Sequence, residues 1–274
     1  MQIAIQGEPG SFSHEAAGKI YPEATILPCS FSFEVFHALL SKEVDAAVIP
    51  IENSLAGSVV EHYDLLLEHD VLIESESLLR IRHNLIAVPG VEMERVQRVY
   101  SHPVALAQCR KFLEQHPAIE SIPFYDTAGS VKQLMELRDR NAAAIASARA
   151  AEFYGGEVLA ADIEDNAENY TRFFLIRRRE DTPRKPDANK VSLAFTVENR
   201  PGTLVSVLEE FAGQGTNLTK IESRPVQGKP WQYVFYVDYQ LSTQARADIA
   251  LDLLWQHCSM VKELGRYRAA EQPS

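Results

Sequence analysis

Short apolar runs alternate along the N-terminal part of the chain with stretches whose apolar residues recur every three or four positions. The runs at residues 2–5, 25–27, 46–49, 96–100 and 142–145 have the length and composition of strands. Between them, residues 104–113 carry a helical period with Pro103 suited to the first helical position, and 33–40 carry another behind Ser32 as a candidate cap. Strands alternating with helices predict an α/β domain with largely parallel strands. Two extended stretches, 74–88 and 170–176, read as segments crossing between lobes. Lobe one is then about residues 1–77 plus 164–180, and lobe two about 78–163.

The pattern breaks after Arg177, where a charged stretch with Pro183 and Pro186 and no periodicity predicts a linker over 181–190. A domain of residues 1–180 precedes it. From 191 to 268 the order changes to strand–helix–strand–strand–helix–strand. Strands are expected at 191–197, 218–223, 232–239 and 260–264, with a turn at Gln227-Gly228-Lys229-Pro230. Leu204, Val207, Leu208 and Phe211 mark one face of the first helix, and 245–258 form the second. This is the ferredoxin-like βαββαβ order.

Composition removes several function classes. With 27 basic and 38 acidic residues the net charge is −11, which argues against nucleic acid as a partner. A local pocket for a small anion remains compatible with that balance. Cys29, Cys109 and Cys258 are far apart and odd in number, and neither C-x-x-C nor H-E-x-x-H occurs, so no metal site and no redox pair is expected. Gly213-Gln214-Gly215 follows a helix where a dinucleotide loop would follow a strand, and reads as helix termination. No membrane-length apolar run and no signal-peptide pattern at the N-terminus is present, so the expected compartment is the cytoplasm, with no membrane partner.

Small polar residues recur where strands hand over to helices. Gly7-Glu8-Pro9-Gly10-Ser11-Phe12-Ser13 follows the first strand, and Pro50-Ile51-Glu52-Asn53-Ser54 the third. Ser101-His102-Pro103, Asp126-Thr127-Ala128 and Ala146-Ser147 follow later ones. Singly these are ordinary helix caps. Together they would border one crevice at the carboxyl ends of the strands, with helix N-termini directed into it. Such a crevice suits a small ligand bearing carboxylates or phosphates.

The first four of these motifs, the second counted from Ile49, together with Asn169-Tyr170-Thr171-Arg172-Phe173, resemble the successive motifs of prephenate dehydratases, in that family's order. Gly202-Thr203-Leu204-Val205 and Glu222-Ser223-Arg224-Pro225 resemble the two signatures of its ACT regulatory domain. The resemblance implies a two-lobed periplasmic-binding-protein-like catalytic domain followed by the ACT domain. It implies loss of the ring carboxylate of prephenate as CO2 and of its 4-hydroxyl as water, giving phenylpyruvate, with no cofactor. It assigns Thr171 to the departing hydroxyl. Threonine is a weak acid at neutral pH, so we read it as a preorganised hydrogen-bond donor.

Candidate substrate contacts are Ser11, Ser13, Asn53, Ser54, Ser101, Thr127, Arg172 and Phe173. Arg172 either grips a carboxylate or, being turned from Thr171 by strand alternation, makes a structural ion pair. His102 is open between general acid and helix-terminal residue. Relatives with Gln after Ser-His-Pro differ from Val104 here, and Gln108, one turn on, is a possible substitute. The resemblance places L-phenylalanine as effector between paired ACT domains, at Gly202, Thr203, Leu204, Val205, Asn217, Leu218, Glu222, Ser223, Arg224 and Pro225. A ferredoxin-like sheet with one bare face and an open edge further suggests a homodimer or homotetramer. The alternatives are an arogenate dehydratase and a non-catalytic small-molecule sensor on the same scaffold.

Overall fold

The computed structural model describes residues 1–271 apart from Arg184, Gln227, Pro230 and Ser242, and describes the backbone alone at 244–247. Two residues of the expected turn, Gln227 and Pro230, therefore lie outside the described residues. By internal contacts the chain divides into two units. One is Met1–His62 with Ser77–Phe173, and the other is Tyr63–Glu76 with the chain from Phe174 onward.

The first unit holds two sheets. Gln2–Gln6 pairs in parallel with Thr25–Cys29 on one side and Ala46–Asn53 on the other, with Ile3 opposite Ile26 and Ala46. Its central residues Ile3, Ala4 and Ile5 are fully buried, as a continuous apolar run covered on both faces must be. Beyond Ala46–Asn53 in the same sheet come Tyr170–Arg178 and then Val71–Arg80, of which residues 170–173 and 77–80 belong to this unit. The second sheet runs Glu157–Ala160, Asn84–Ala87, Ala142–Ala146, Arg98–Ser101, Glu120–Pro123. Its last three strands are parallel, but Asn84–Ala87 enters antiparallel, so this sheet is mixed.

Alternation assigns the faces of that second sheet. Leu85, Ala87, Ala143 and Ile145 pack with Ala105 and Cys109 on one side. Ile86, Ala142, Ala144 and Ala146 pack with Val131, Leu134 and Ala150 on the other. Both faces are apolar because helices cover both.

Two helix predictions need correction. The expected helix over 104–113 breaks at Cys109 into Pro103–Gln108 and Arg110–Gln115. Asp165 causes the break: its N–H donates to the Gln108 carbonyl at 2.7 Å and its carboxylate accepts from Lys111 N at 2.9 Å, drawing both groups out of the helical ladder. Ser32 is not a cap but the first residue of Ser32–Leu40. The carboxylate of Glu34 accepts from the backbone N–H groups of Ser30 and Phe31 instead, at 2.8 and 3.1 Å.

The second unit contains an antiparallel sheet in the order Leu218–Pro225, Tyr233–Gln240, Lys190–Thr196, Met260–Tyr267, with helices Thr203–Gly213 and Gln244–Leu254. This is the ferredoxin-like arrangement. Val191, Leu193, Phe195, Val237 and Tyr239 face Val207 and Phe211 of the first helix. The opposite face is covered by residues of Tyr63–Glu76, which the sequence pattern places in lobe one. Tyr236 donates its hydroxyl hydrogen to the Tyr63 carbonyl at 3.2 Å, and Lys262 donates to the carbonyls of Leu66, Leu67 and His69 at 3.0, 2.8 and 2.6 Å. The bare face that motivated an oligomer is thus occupied by the same chain. The edge strand Leu218–Pro225, with Ile221 48% exposed, remains open.

Candidate active site

Ala46–Asn53 ends beside the start of Tyr170–Arg178, and Ser54 joins the two. Its N–H donates to the Tyr170 carbonyl at 2.8 Å, its hydroxyl donates to the Glu168 carbonyl at 3.0 Å, and it accepts from Tyr170 N at 3.0 Å. Next to it, Asn53 Oδ1 accepts from the N–H groups of Leu55 and Ala56 at 3.0 and 2.8 Å. Backbone nitrogens only donate, so this oxygen is identified and the amide nitrogen must face the other way. Nδ2 donates to Thr171 Oγ1 at 2.9 Å, to Asn169 Oδ1 at 2.8 Å and, at 3.2 Å, to the Tyr170 carbonyl. Fully buried Asn169 passes the polarity on, its Nδ2 donating to Gln108 Oε1 at 3.0 Å. Gln108 Nε2 lies 3.5 Å from Asn53 Oδ1, which closes a ring of three carboxamides.

Thr171 is 8% exposed, and its hydroxyl oxygen accepts from Asn53. Among the described residues no acceptor takes its hydrogen. The arrangement leaves one O–H, its oxygen held and polarised by the amide behind it, able to donate. Asn53 is occupied in orienting Thr171, and Gln108, noted in the sequence only as a substitute, is part of the same ring. Asn169 belongs to the motif but was not singled out there; its total burial, invisible to periodicity, is what marks it.

The remaining candidates divide by exposure. Arg172 points away from Thr171, is buried, and has Nη1 at 3.9 Å from Glu52 Oε2, so it stands in an intrachain ion pair. Ser101 and Phe173 do not reach an opening, contrary to expectation. Ser101 is fully buried with its hydroxyl donated to the Ile145 carbonyl at 2.6 Å, and Phe173, 1% exposed, packs in the core. A serine that seals a sheet and one that meets a ligand have the same composition.

The Gly7–Gly10 turn meets two helix N-termini of the second sheet. At Gly7, φ is +102° and an added Cβ would lie 2.9 Å from Asp126 Oδ2; at Gly10, φ is +87° and it would lie 2.8 Å from Ala150 Cα. Ser147 donates its hydroxyl hydrogen to the Gly10 carbonyl at 2.7 Å. Ser11 caps its own helix by accepting from His14 N at 3.3 Å, and Ser13 is buried in that helix. Asp126 caps Thr127–Leu137, accepting from Gly129 N at 2.6 Å, and burial holds its carboxyl above the usual carboxylate range. Thr127, the first residue of that helix, is half-buried. His102 caps Pro103–Gln108, Nδ1 accepting from Val104 N at 3.2 Å.

No group of three or more His, Cys, Asp or Glu able to hold a metal ion occurs among the described residues. Burial pushes the thiols of Cys29 and Cys258 up to about 11 and raises that of Cys109 further. No helix of the described residues is long and apolar enough to cross a membrane.

In the second unit Gly202, at φ +87°, opens the helix Thr203–Gly213, and an added Cβ would meet nothing within 4 Å. Thr203 donates to the carbonyls of Glu198 and Arg200. Leu204 is half-buried and Val205 exposed. Asn217 and Leu218 stand at the start of the open edge strand, and Ser223 and Pro225 are exposed along it. Glu222 and Arg224 are committed within the chain, to Lys220 at 3.1 Å and Asp64 at 3.3 Å.

Comparison with known proteins adds to this geometry. Residues 3–181 match the family model described as prephenate dehydratase, and 191–238 match the ACT domain. Arogenate dehydratase/prephenate dehydratase 6 of Arabidopsis thaliana, a chloroplastic protein, is 41% identical over 97% of this chain and 68% of its own length. The structure of Arthrobacter aurescens prephenate dehydratase in complex with L-Phe superimposes with a TM-score of 0.91 at 33% identity, covering 100% of this chain and 92% of that one. A protein described as a novel type of quorum quenching acylase, GqqA, superimposes with a TM-score of 0.90 at 33% identity, over 98% of both chains.

Proposed function

The chain belongs to the prephenate dehydratase family and carries an ACT domain, and from that membership we infer that it is a lyase converting prephenate to phenylpyruvate. The reaction expels CO2 from the ring carboxylate and the 4-hydroxyl as water. Formation of the aromatic ring supplies the driving force. The obstacle is the departure of hydroxide, a poor leaving group, and a donor placed on that oxygen lowers the barrier as charge develops there. Thr171 supplies the donor. The observation that carries this assignment is the Asn53 Nδ2–H held 2.9 Å from Thr171 Oγ1, which leaves the threonine hydrogen directed elsewhere. Ser11, Ser13 and Thr127, at the helix termini around the Gly7–Gly10 turn, are the groups we assign to the substrate carboxylates.

An acyl-transfer reading, raised by the acylase neighbour, fits the site less well. A nucleophilic threonine needs a base to accept its proton, whereas Thr171 faces an amide donor. Arogenate is the serious second substrate, because curated relatives carry that name, and it differs from prephenate only at the side-chain amino group. Incubation with each compound, with phenylpyruvate read by its absorbance in alkali and phenylalanine by chromatography, decides between them. No turnover of either would overturn the dehydratase reading.

We assign regulation to L-phenylalanine at the start of Thr203–Gly213, where the open, side-chain-free backbone at Gly202 admits a carboxylate. Pairing of two copies along Leu218–Pro225 would complete that site, giving a homodimer or homotetramer, which light scattering tests. The buried, unpaired cysteines support action in a reducing compartment, the cytoplasm, and cell fractionation checks it.

A further inference from the structure

His83 lies outside every motif, yet it abuts the carboxamide ring. It is 2% exposed, sits just before Asn84–Ala87, and its ring meets Phe12 edge-on at 5.5 Å. Its backbone is held on both sides: His83 N donates to Glu164 Oε2 at 2.9 Å, and its carbonyl accepts from Ile163 N at 2.9 Å. Nε2 lies 2.9 Å from Gln108 Oε1, and Nδ1, also buried, has no partner among the described residues.

The direction of every bond in the ring follows from the backbone. Leu55 N and Ala56 N force Asn53 Oδ1 to accept, so Asn53 Nδ2 donates to Asn169, and Asn169 Nδ2 donates to Gln108. Gln108 Oε1 is therefore the acceptor of the pair with His83, and the imidazole proton must sit on Nε2. The other tautomer would set two lone pairs against each other and bury an N–H at Nδ1 without an acceptor. We propose that His83 is a positioning residue for the dehydration: its Nε2–H holds the Gln108 carboxamide in the one orientation that keeps Asn169 and Asn53 aimed at Thr171. This rests on the reading that the Thr171 hydroxyl assists departure of the leaving group. Burial lowers the imidazole pKa, in keeping with a neutral ring at ordinary pH.

Three measurements on the full chain test it. Nitrogen-15 NMR of histidine-labelled protein, with His83 assigned through His83→Gln, should show Nε2 protonated and Nδ1 bare. His83→Met removes the donor at similar bulk and should lower kcat about 10- to 100-fold, as expected when a buried acceptor loses its partner, with KM within about twofold. His83→Gln keeps an N–H near the Nε2 position and should recover most of that loss. A proton on Nδ1 in the wild type would overturn the proposal, as would full kcat in His83→Met or equal losses in both variants. An inactive wild type showing the expected tautomer would refute the assigned reaction while the relay stood.

Discussion

The sharpest perturbation of the site is Asn53→Asp, which changes one atom's character and almost no volume. The carboxylate oxygen replacing Oδ1 keeps its bonds from Leu55 N and Ala56 N at 3.0 and 2.8 Å, so the turn survives. The other oxygen takes the place of Nδ2, at 2.9 Å from Thr171 Oγ1, 2.8 Å from Asn169 Oδ1 and 3.2 Å from the Tyr170 carbonyl. The bonds donated by the two Nδ2 hydrogens to these three acceptors, worth about 0.5–1.5 kcal/mol net per hydrogen, are lost and oxygen faces oxygen. The Thr171 hydrogen then rotates onto the new carboxylate, since a charge-assisted bond is the strongest on offer. That withdraws the donor from the leaving group and should cost about 2–4 kcal/mol, or about 30- to 1000-fold in kcat. Phenylpyruvate formation at saturating prephenate, with circular dichroism to confirm the fold, reads the effect. Near wild-type kcat, or a loss confined to KM, would refute the orienting role of Asn53.

Thr171→Ala should lose about 30- to 1000-fold in kcat with KM little changed, and Thr171→Ser should keep much more activity; a fully active alanine variant removes Thr171 from the mechanism. Dialysis against a chelator should leave activity intact, and restoration only by a divalent ion would reveal a metal site. Gly10→Ala forces a side chain at φ +87° to within 2.8 Å of Ala150 Cα. It should destabilise by about 1–3 kcal/mol, with a melting midpoint several degrees lower and KM raised, so an unchanged scan would contradict the close approach. Gly202→Val puts a β-branched residue at φ +87° and should abolish calorimetric binding of phenylalanine together with its inhibition; saturable inhibition that persisted undiminished would place the effector elsewhere.

What could be read along the chain was whatever depends on near neighbours. The strands Gln2–Gln6, Ala46–Asn53 and Ala142–Ala146 declare themselves by composition, and the ferredoxin-like order after the linker by period. The break at Cys109 does not, because its cause, Asp165, arrives from far along the chain. The covering of the C-terminal sheet by Tyr63–Glu76 was hidden for the same reason: Tyr63 and Tyr236 meet across 173 positions. At the site, Asn53 and Thr171 were legible as motif residues, but their joining across 118 positions was not. His83 was invisible, since a buried histidine bears no sign in sequence of what its ring nitrogens face.

The relay also explains why amides suit this position better than charged groups. The substrate of such an enzyme carries two carboxylates, so a carboxylate beside Thr171 would repel it. A cation there would bind the ground state as firmly as the transition state, which does nothing for kcat. Carboxamides carry no net charge and do not titrate, so the polarity running from Gln108 Nε2 to Asn53 and on to Thr171 Oγ1 is the same at every ordinary pH. Each donor in that line is strengthened by the bond it accepts on its own oxygen. The geometry must then come from elsewhere, and it does: Asn53 is fixed by two backbone N–H groups, Asn169 by burial, and Gln108 by bonds from Asn169 and His83. Any bend in the pH–rate profile of the wild type must then arise outside the three carboxamides. Asp126, whose carboxyl burial keeps above its usual range, is the candidate beside the Gly7 turn.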